Sequence, residues 1–255
     1  MMKDRYLLAD IGNTSIDVAV FQKELEDVSK FTSEEEEKLE NYLSLHKNLK
    51  GVLISSVNHK NLDLLLSHLK KEDIHFHVIT PSDMEKYALK HGYTIRNTAY
   101  LGCDLFCDVI AMETRENITI DLGTVGKILY LDRQKVFYGA SIFPDISQFP
   151  KMMDVSTDLL KGLSLKDNPP VVSLKTEECI SSGAVYGILG TIHEVVSKIK
   201  EIYSPENPKV YLTGGNASRI KDLLLKEDPS IEYVPDLPLK GVARILSDFD
   251  NHFDE

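Results

Sequence analysis

Leu7-Leu8-Ala9-Asp10-Ile11-Gly12-Asn13-Thr14 is the stretch around which the chain is organised. The apolar run from Tyr6 to Ala9 is short and bounded, as a buried strand requires, and a carboxylate stands at its end. Ser15-Ile16-Asp17-Val18-Ala19-Val20-Phe21 then resumes with apolar residues in alternation, so the two stretches make a hairpin. Gly12 is expected to turn the backbone at positive φ and to let a ligand close to the main chain. Asn13 and Thr14 add polar side chains to consecutive N–H donors, which is the composition of a phosphate cradle. Asp10, fixed at the strand end, is placed to hold a hydrated Mg²⁺ that bridges phosphate oxygens. Taken alone, the same residues suit an ordinary hairpin turn.

The pattern recurs at Ile118-Thr119-Ile120-Asp121-Leu122-Gly123-Thr124-Val125, followed again by strand-like Lys127 to Leu131. A repeated rare arrangement is stronger than either copy. Two such hairpins, one per half, point to two related domains, 1–113 and 114–255, facing each other across a nucleotide's phosphates. A third strand-to-glycine turn, Lys209-Val210-Tyr211-Leu212-Thr213-Gly214-Gly215-Asn216-Ala217, leads into a helix expected from Ser218 to Lys226. Its paired glycines leave room for a flat base or ribose near helix N-terminal amides.

At 255 residues, 42% hydrophobic and 27% charged, the chain can bury one large core or two small ones. A net charge of -11 argues against a nucleic-acid surface, since phosphate backbones call for clustered Lys and Arg. Cys103, Cys107 and Cys179 have no zinc spacing, and their odd number argues against a disulfide framework. Too few apolar residues open the chain for a signal peptide or a membrane span. A cytoplasmic protein is expected.

Alternating strands and helices fill the rest. A third strand is expected at Leu25 to Phe31, then a helix capped by Ser33 with Glu36 completing a capping box. Gly51 to Ser56 reads as a fully apolar strand, Asn61 to Lys71 as an amphipathic helix, and Ile74 to Ile79 as another strand. Thr80 caps a helix with Pro81 at its first position. His75 and His77, two apart, suit an exposed strand face better than a metal pair without a third ligand. Asp104 falls in the first turn of a helix beginning near Leu101, where the helix dipole favours a carboxylate. Strands are expected at Lys127 to Leu131 and Val136 to Ser141, with a turn at Ile142 to Asp145 and a helix from Phe149 to Lys161. Thr176 opens the longest helix, reaching Tyr203, whose Gly183, Gly187 and Gly190 thin one face for a close neighbour. A helix from Leu239 to Phe249 and an acidic tail close the chain.

Taken in order, Asp10-Ile11-Gly12-Asn13-Thr14, Gly102-Cys103-Asp104, Asp121-Leu122-Gly123-Thr124, Thr176-Glu177-Glu178 with Ser182-Gly183, and Thr213-Gly214-Gly215 resemble the type III pantothenate kinases. That family belongs to the acetate kinase, sugar kinase, Hsp70 and actin superfold, and the resemblance spans nearly the whole chain. It implies an α/β fold of two ribonuclease H-like (actin-like ATPase) domains, with mixed sheets flanked by helices and a nucleotide cleft between them. It also implies ATP-dependent phosphorylation of pantothenate to 4′-phosphopantothenate, the first step of coenzyme A biosynthesis.

By the same resemblance, Asp10, Ile11, Gly12, Asn13, Thr14, Ser15, Ile16 and Asp17 form the first ATP phosphate loop, with Asp10 serving Mg²⁺. Thr124 touches ATP phosphates in the second loop, and Thr213, Gly214 and Gly215 lie by the adenosine. Asp121 matches the family's monovalent-cation ligand, for potassium or ammonium. Asp104 matches the general base, Gly102, Cys103, Asp104 and Leu105 the pantothenate-contacting loop, and Thr176 a substrate-contacting threonine. The implied assembly is a homodimer. Departures cluster near the substrate: Leu105 stands where the family has Arg, and Val125, Lys127 and Leu129 stand where it has Ala, Thr and Asp. A non-catalytic nucleotide-binding regulator like the Bvg accessory factor group, and a kinase of another small hydroxylated substrate, are the alternative readings.

Overall fold

A computed structural model describes residues 4–46, 48–113, 116–158, 160–249 and 253. Among them, ten strands form two five-stranded sheets. In the first, β1 (Tyr6–Ile11) pairs antiparallel with β2 (Ile16–Phe21), which pairs antiparallel with β3 (Leu25–Phe31). On its other side β1 runs parallel to β4 (Gly51–Ser56), and β4 to β5 (Phe76–Val78), giving the order β3-β2-β1-β4-β5. The second sheet repeats this design. β6 (Asn117–Leu122), β7 (Val125–Leu131) and β8 (Phe137–Pro144) form the antiparallel part, while β9 (Lys209–Thr213) and β10 (Glu232–Tyr233) extend it in parallel, in the order β10-β9-β6-β7-β8. Three antiparallel strands continued by two parallel ones, with helical crossovers, is the ribonuclease H-like arrangement, here present twice.

The chain divides into two compact units. Residues 1–113 and 236–255 make one, and residues 114–235 the other. The expected second domain, 114–255, therefore ends earlier, because α8 (Leu237–Phe249) returns to the first unit. It buries Val242, Ile245, Leu246 and Phe249 there, and Gly241 is its contact point: a Cβ on Gly241 would lie 2.2 Å from the Cys107 carbonyl oxygen of α4 (Cys103–Ile110). Glycine lets the two helix backbones touch. Phe253 follows and lies against Tyr6 on β1, ring centroids 5.7 Å apart. The rest of the acidic tail beyond Phe249 falls outside the described residues.

Helices α1 (Glu36–Leu45), α2 (His59–Lys71) and α3 (Pro81–His91) complete the first unit, whose core joins Leu7, Ala9, Ile11, Val18, Leu39, Val52, Ile54, Leu65 and Leu69. The α1 cap differs from expectation. Glu35 occupies that position, its carboxylate accepting from Thr32 N–H at 3.1 Å, and Ser33 lies outside the helix. Asn58 caps α2, and Thr80 with Asp83 forms a full capping box on α3. His77 Nε2 lies 2.9 Å from Asp83 Oδ2 and its ring stacks on Phe249 at 4.6 Å, so this histidine braces the α3 cap and α8.

In the second unit, α5 (Gln148–Ser156), α6 (Thr176–Tyr203) and α7 (Lys221–Glu227) accompany the sheet. β8 runs straight through the expected turn at Ile142 to Asp145. Its Phe143 ring needs the space that Gly126 leaves on β7, and Pro144 sits at the end of an edge strand where no ladder donor is required. The helix expected from Ser218 is broken into a single 3-10 turn, Ala217–Arg219, and α7. α6 is long and apolar enough to cross a membrane by length and composition. However, its Ala184, Val185, Ile188, Leu189, Ile192 and Ile199 pack into the core with Ile118, Ile120, Leu122, Val210 and Leu212. Its glycines do not mark a tight contact: among the described residues a Cβ at Gly183 or Gly190 would meet nothing within 4 Å.

Candidate functional site

In the first unit the loop of residues 12–15 joins β1 to β2 and is closed by Gly12 N–H donating to Ser15 C=O at 2.9 Å. Gly12 does not adopt the expected positive φ. A Cβ there would meet only Ser15 O at 3.8 Å, so this glycine keeps the main chain uncovered on its outer side. Asn13 and Thr14 are exposed, Gly12 and Ser15 partly so, and Ile11 and Ile16 are buried struts beneath them. The loop is braced from α2. Asn61 Nδ2 donates to Gly12 C=O at 3.0 Å, and Asn58 Nδ2 to Asn13 Oδ1 at 3.3 Å. Sequence alone does not single out either asparagine, because each reads there as helix-start polarity.

Asp10 accepts from the Ser55 hydroxyl at 2.8 Å, across the β1–β4 pairing. Its partner across β2 is Asp17, itself 2.8 Å from Lys30 Nζ. Farther along, burial pushes the Asp236 carboxyl up, with the Asp17 charge adding to it. α4 begins at Cys103 with Gly102 as its cap residue and Asp104 in its first turn. A Cβ on Gly102 would lie 2.5 Å from Asp104 Oδ1. Gly102 thus provides the space into which the Asp104 carboxylate folds back over the helix start. Leu105 is partly buried beside it, and Cys103 is buried. The Cys107 thiol is driven up by its hydrogen bond to Cys103, then by burial, with the negative field of Asp10 and Asp108 contributing.

In the second unit β6 and β9 end side by side, Asp121 opposite Thr213 in register. The β6–β7 turn is the two-residue Gly123-Thr124, with Gly123 N–H donating to Val125 C=O at 3.3 Å. Asn216 clamps it: its N–H donates to Leu122 C=O at 2.8 Å and its Nδ2 to Gly123 C=O at 2.6 Å. Asn216 Nδ2 also reaches Asp145 Oδ2 at 2.7 Å, and Gln148 Nε2 donates to Thr124 C=O at 3.0 Å. Gly214 has φ +97°, and a Cβ there would stand 2.4 Å from the Leu122 carbonyl and 2.5 Å from Asp121 Oδ1. Only glycine fits both the left-handed backbone and the contact. Thr213 is buried, its hydroxyl donating to Pro235 C=O at 3.3 Å, while Gly215 is exposed. A polar cavity of ≈ 350 Å³ opens after this turn, lined by Asp167, Asn168, Ser218, Arg219, Asp222 and Leu223. Thr176 is exposed at the first residue of α6.

Asp121 is buried and paired. Its Oδ2 lies 2.5 Å from Lys127 Nζ, and Lys127 is its direct partner across β7. Asp145 is fully buried nearby; burial raises its pKa and the Asp121 charge adds to the rise. Its Oδ1 makes no hydrogen bond of good geometry among the described residues. Lys127, Asp145 and Asn216 are invisible as a cluster in the sequence, since they come from three separate segments.

The donor sets can be tested against the expected ions. Mg²⁺ binds through one or two carboxylates plus phosphate oxygens and water. Asp10, a strand-end carboxylate beside an open loop with Asp17 across from it, fits an ion carried in on phosphates, and no ready-made cage of three metal-binding side chains exists among the described residues. The monovalent cation fits poorly. Asp121 Oδ2 already holds the Lys127 ammonium, so a further cation would meet a carboxylate whose charge is largely neutralised.

A family model described as type III pantothenate kinase matches residues 6–198. The type III pantothenate kinase of Legionella pneumophila (strain Corby) is 29% identical over 161 residues, 60% of this chain and 61% of that protein. The chain thus spans about three fifths of that relative's length. The type III pantothenate kinase of Phocaeicola vulgatus is 26% identical over 250 residues, 94% of this chain and 97% of that one. Among solved structures, a conserved Campylobacter jejuni protein described as a Baf family transcriptional activator superposes with a TM-score of 0.60 at 20% identity, covering 96% of this chain and 99% of its own. That likeness is one of fold.

Proposed function

Because the chain belongs to the type III pantothenate kinase family, we propose that it transfers the γ-phosphoryl group of ATP to the primary hydroxyl of pantothenate, giving 4′-phosphopantothenate and ADP. The observation that carries this reading is the family match over residues 6–198, which takes in both phosphate turns, Asp104 and Thr176.

In this reading the chemistry is divided among these groups. Phosphoryl transfer asks a protein mainly for positioning and for stabilisation of charge on the equatorial oxygens. The acceptor hydroxyl oxygen bonds to the γ-phosphorus as the bond to the β–γ bridging oxygen breaks, and ADP departs with that electron pair. Asp104, held at the α4 start over Gly102, takes the hydroxyl proton. Residues Asp10 to Asp17 and Thr124 contribute main-chain and hydroxyl donors to ATP phosphates, and Thr213 to Gly215 contact the adenosine. Mg²⁺, when bound at Asp10, neutralises phosphate charge. Gly102, Cys103, Leu105 and Thr176 contact pantothenate. The reading brings with it a homodimer in the cytoplasm, with no nucleic-acid or membrane partner.

Leu105 favours a second reading. Where a guanidinium would give a forked contact to an anionic substrate, leucine gives none, which suits a nucleotide-binding regulator or a kinase of a different small alcohol. The deciding experiment incubates purified protein with ATP, Mg²⁺ and pantothenate and follows ADP and 4′-phosphopantothenate by mass spectrometry. Equal amounts of both support the kinase. ATP binding without product, with pantothenate in excess, supports the second reading.

A further inference from the structure

The two sheets carry the same design, yet the residue facing the strand-end aspartate differs in kind. Across from Asp10 stands Asp17, an acid; across from Asp121 stands Lys127, a base. The Lys127 ammonium is 2.5 Å from Asp121 Oδ2, and the two side chains are only 10% and 7% exposed. The two groups form a buried ion pair across the β6–β7 ladder. We propose that Lys127 is a built-in replacement for the monovalent cation at Asp121, so that this protein binds nucleotide and turns over without potassium or ammonium.

A primary ammonium carries the same single charge as K⁺ or NH₄⁺ and offers N–H donors as NH₄⁺ does. Tethered to β7 it is present at every salt concentration, and its register opposite Asp121 is fixed by the Leu122↔Gly126 and Ile120↔Ile128 pairs on either side. The pair sits where the Gly123-Thr124 turn begins. Gly214, the residue after β9, closes on Asp121 Oδ1, where a Cβ would come within 2.5 Å. Both carboxylate oxygens of Asp121 are therefore crowded by the protein itself.

The first readout needs no ligand but salt and does not depend on the kinase reading. Melting temperatures of wild type, Lys127→Met and the double variant Asp121→Asn/Lys127→Met are compared at equal ionic strength in tetramethylammonium, potassium and ammonium chloride. Wild type is expected to melt at the same temperature in all three. Lys127→Met, left with a buried unpaired carboxylate, is expected to melt lower and to regain about 3–6 °C selectively in potassium or ammonium at roughly ten times the dissociation constant. The double variant should not respond. Selective stabilisation of wild type by either cation overturns the proposal and points to the Oδ1 side of Asp145 as a ligand. A Lys127→Met protein that responds no more than the double variant also overturns it. If Lys127→Met does not fold, wild type against the double variant decides by the same criterion.

The second readout, affinity for a non-hydrolysable ATP analogue in the same salts, rests on the proposed function. Wild-type affinity should agree within twofold across salts, and a tenfold gain in potassium overturns the cation proposal. Absence of binding in every salt counts against the kinase reading alone, and the melting series then decides the role of Lys127 by itself.

Discussion

Replacing Gly214 by alanine tests whether the second unit's site is built on close backbone contact. The position has φ +97°, which an L side chain tolerates at a cost of about 1–2 kcal/mol. The new Cβ would stand 2.4 Å from the Leu122 carbonyl and 2.5 Å from Asp121 Oδ1, and the nearer neighbours are backbone atoms paired to Asn216. Overpacking of this kind costs about 1–3 kcal/mol. Together they predict a loss of about 2–5 kcal/mol. At a urea slope of about 2 kcal/mol per molar, the unfolding midpoint falls by about 1–2.5 M. Gly183→Ala is the matched control: an exposed position inside α6 with nothing within 4 Å of a Cβ, expected to gain about 0.5–1 kcal/mol. The assay is urea denaturation followed by circular dichroism on all three proteins. A Gly214→Ala midpoint within about 0.3 M of wild type, with Gly183→Ala behaving as expected, would refute the contact reasoning.

Two further outcomes follow from single sites. Gly241→Ala would drive a methyl group into the Cys107 carbonyl where α8 crosses α4, so a loss of about 1–3 kcal/mol is expected in the same denaturation assay; an unchanged midpoint would mean that the helices do not touch there. Asp145 is buried with its pKa raised, so the folded state holds this proton more tightly than the unfolded chain, and the ionised carboxylate costs stability once pH passes the ordinary carboxylate range. Asp145→Asn should therefore gain stability relative to wild type between pH 4 and pH 7, as read by denaturation at each pH, and a relative loss over that range would contradict the assignment.

What can be read from the sequence is what local pattern controls. The Asp-apolar-Gly-Thr turn at the end of β6, and its Asp-apolar-Gly-Asn-Thr counterpart at β1, need only a short apolar run, a carboxylate and a glycine, all adjacent in the chain. The α3 cap at Thr80 and Pro81 is equally local, and it is present in full. The misses share the opposite property. Ser33 has the right residue type for a cap, yet Glu35 wins that position by bonding Thr32, a choice sequence spacing does not resolve. Ile142-Phe143-Pro144 reads as a turn until Gly126 on the neighbouring strand provides a seat for the Phe143 ring. α8 looks like the end of the second half, and only its contact with Cys107 reveals that it belongs to the first. In the site, Asp121 is conspicuous, whereas Lys127, Asp145 and Asn216 acquire meaning from register and from a turn 71 residues away from Asp145.

Asp104 is assigned the proton of pantothenate's hydroxyl during transfer from ATP, and on that assignment the proposed mechanism rests. It is tested most directly by the rate of 4′-phosphopantothenate formation by wild type and Asp104→Asn, measured with saturating ATP, Mg²⁺ and pantothenate, alongside their affinities for ATP. Product is expected from wild type, with a fall in kcat of about 10²–10⁴ in the variant. ATP affinity should be unchanged within about twofold, since Asp104 stands at the α4 start and not in the residue 12–15 loop. Equal rates in the two proteins would contradict the role of Asp104, and no product from wild type that binds ATP would contradict the kinase itself.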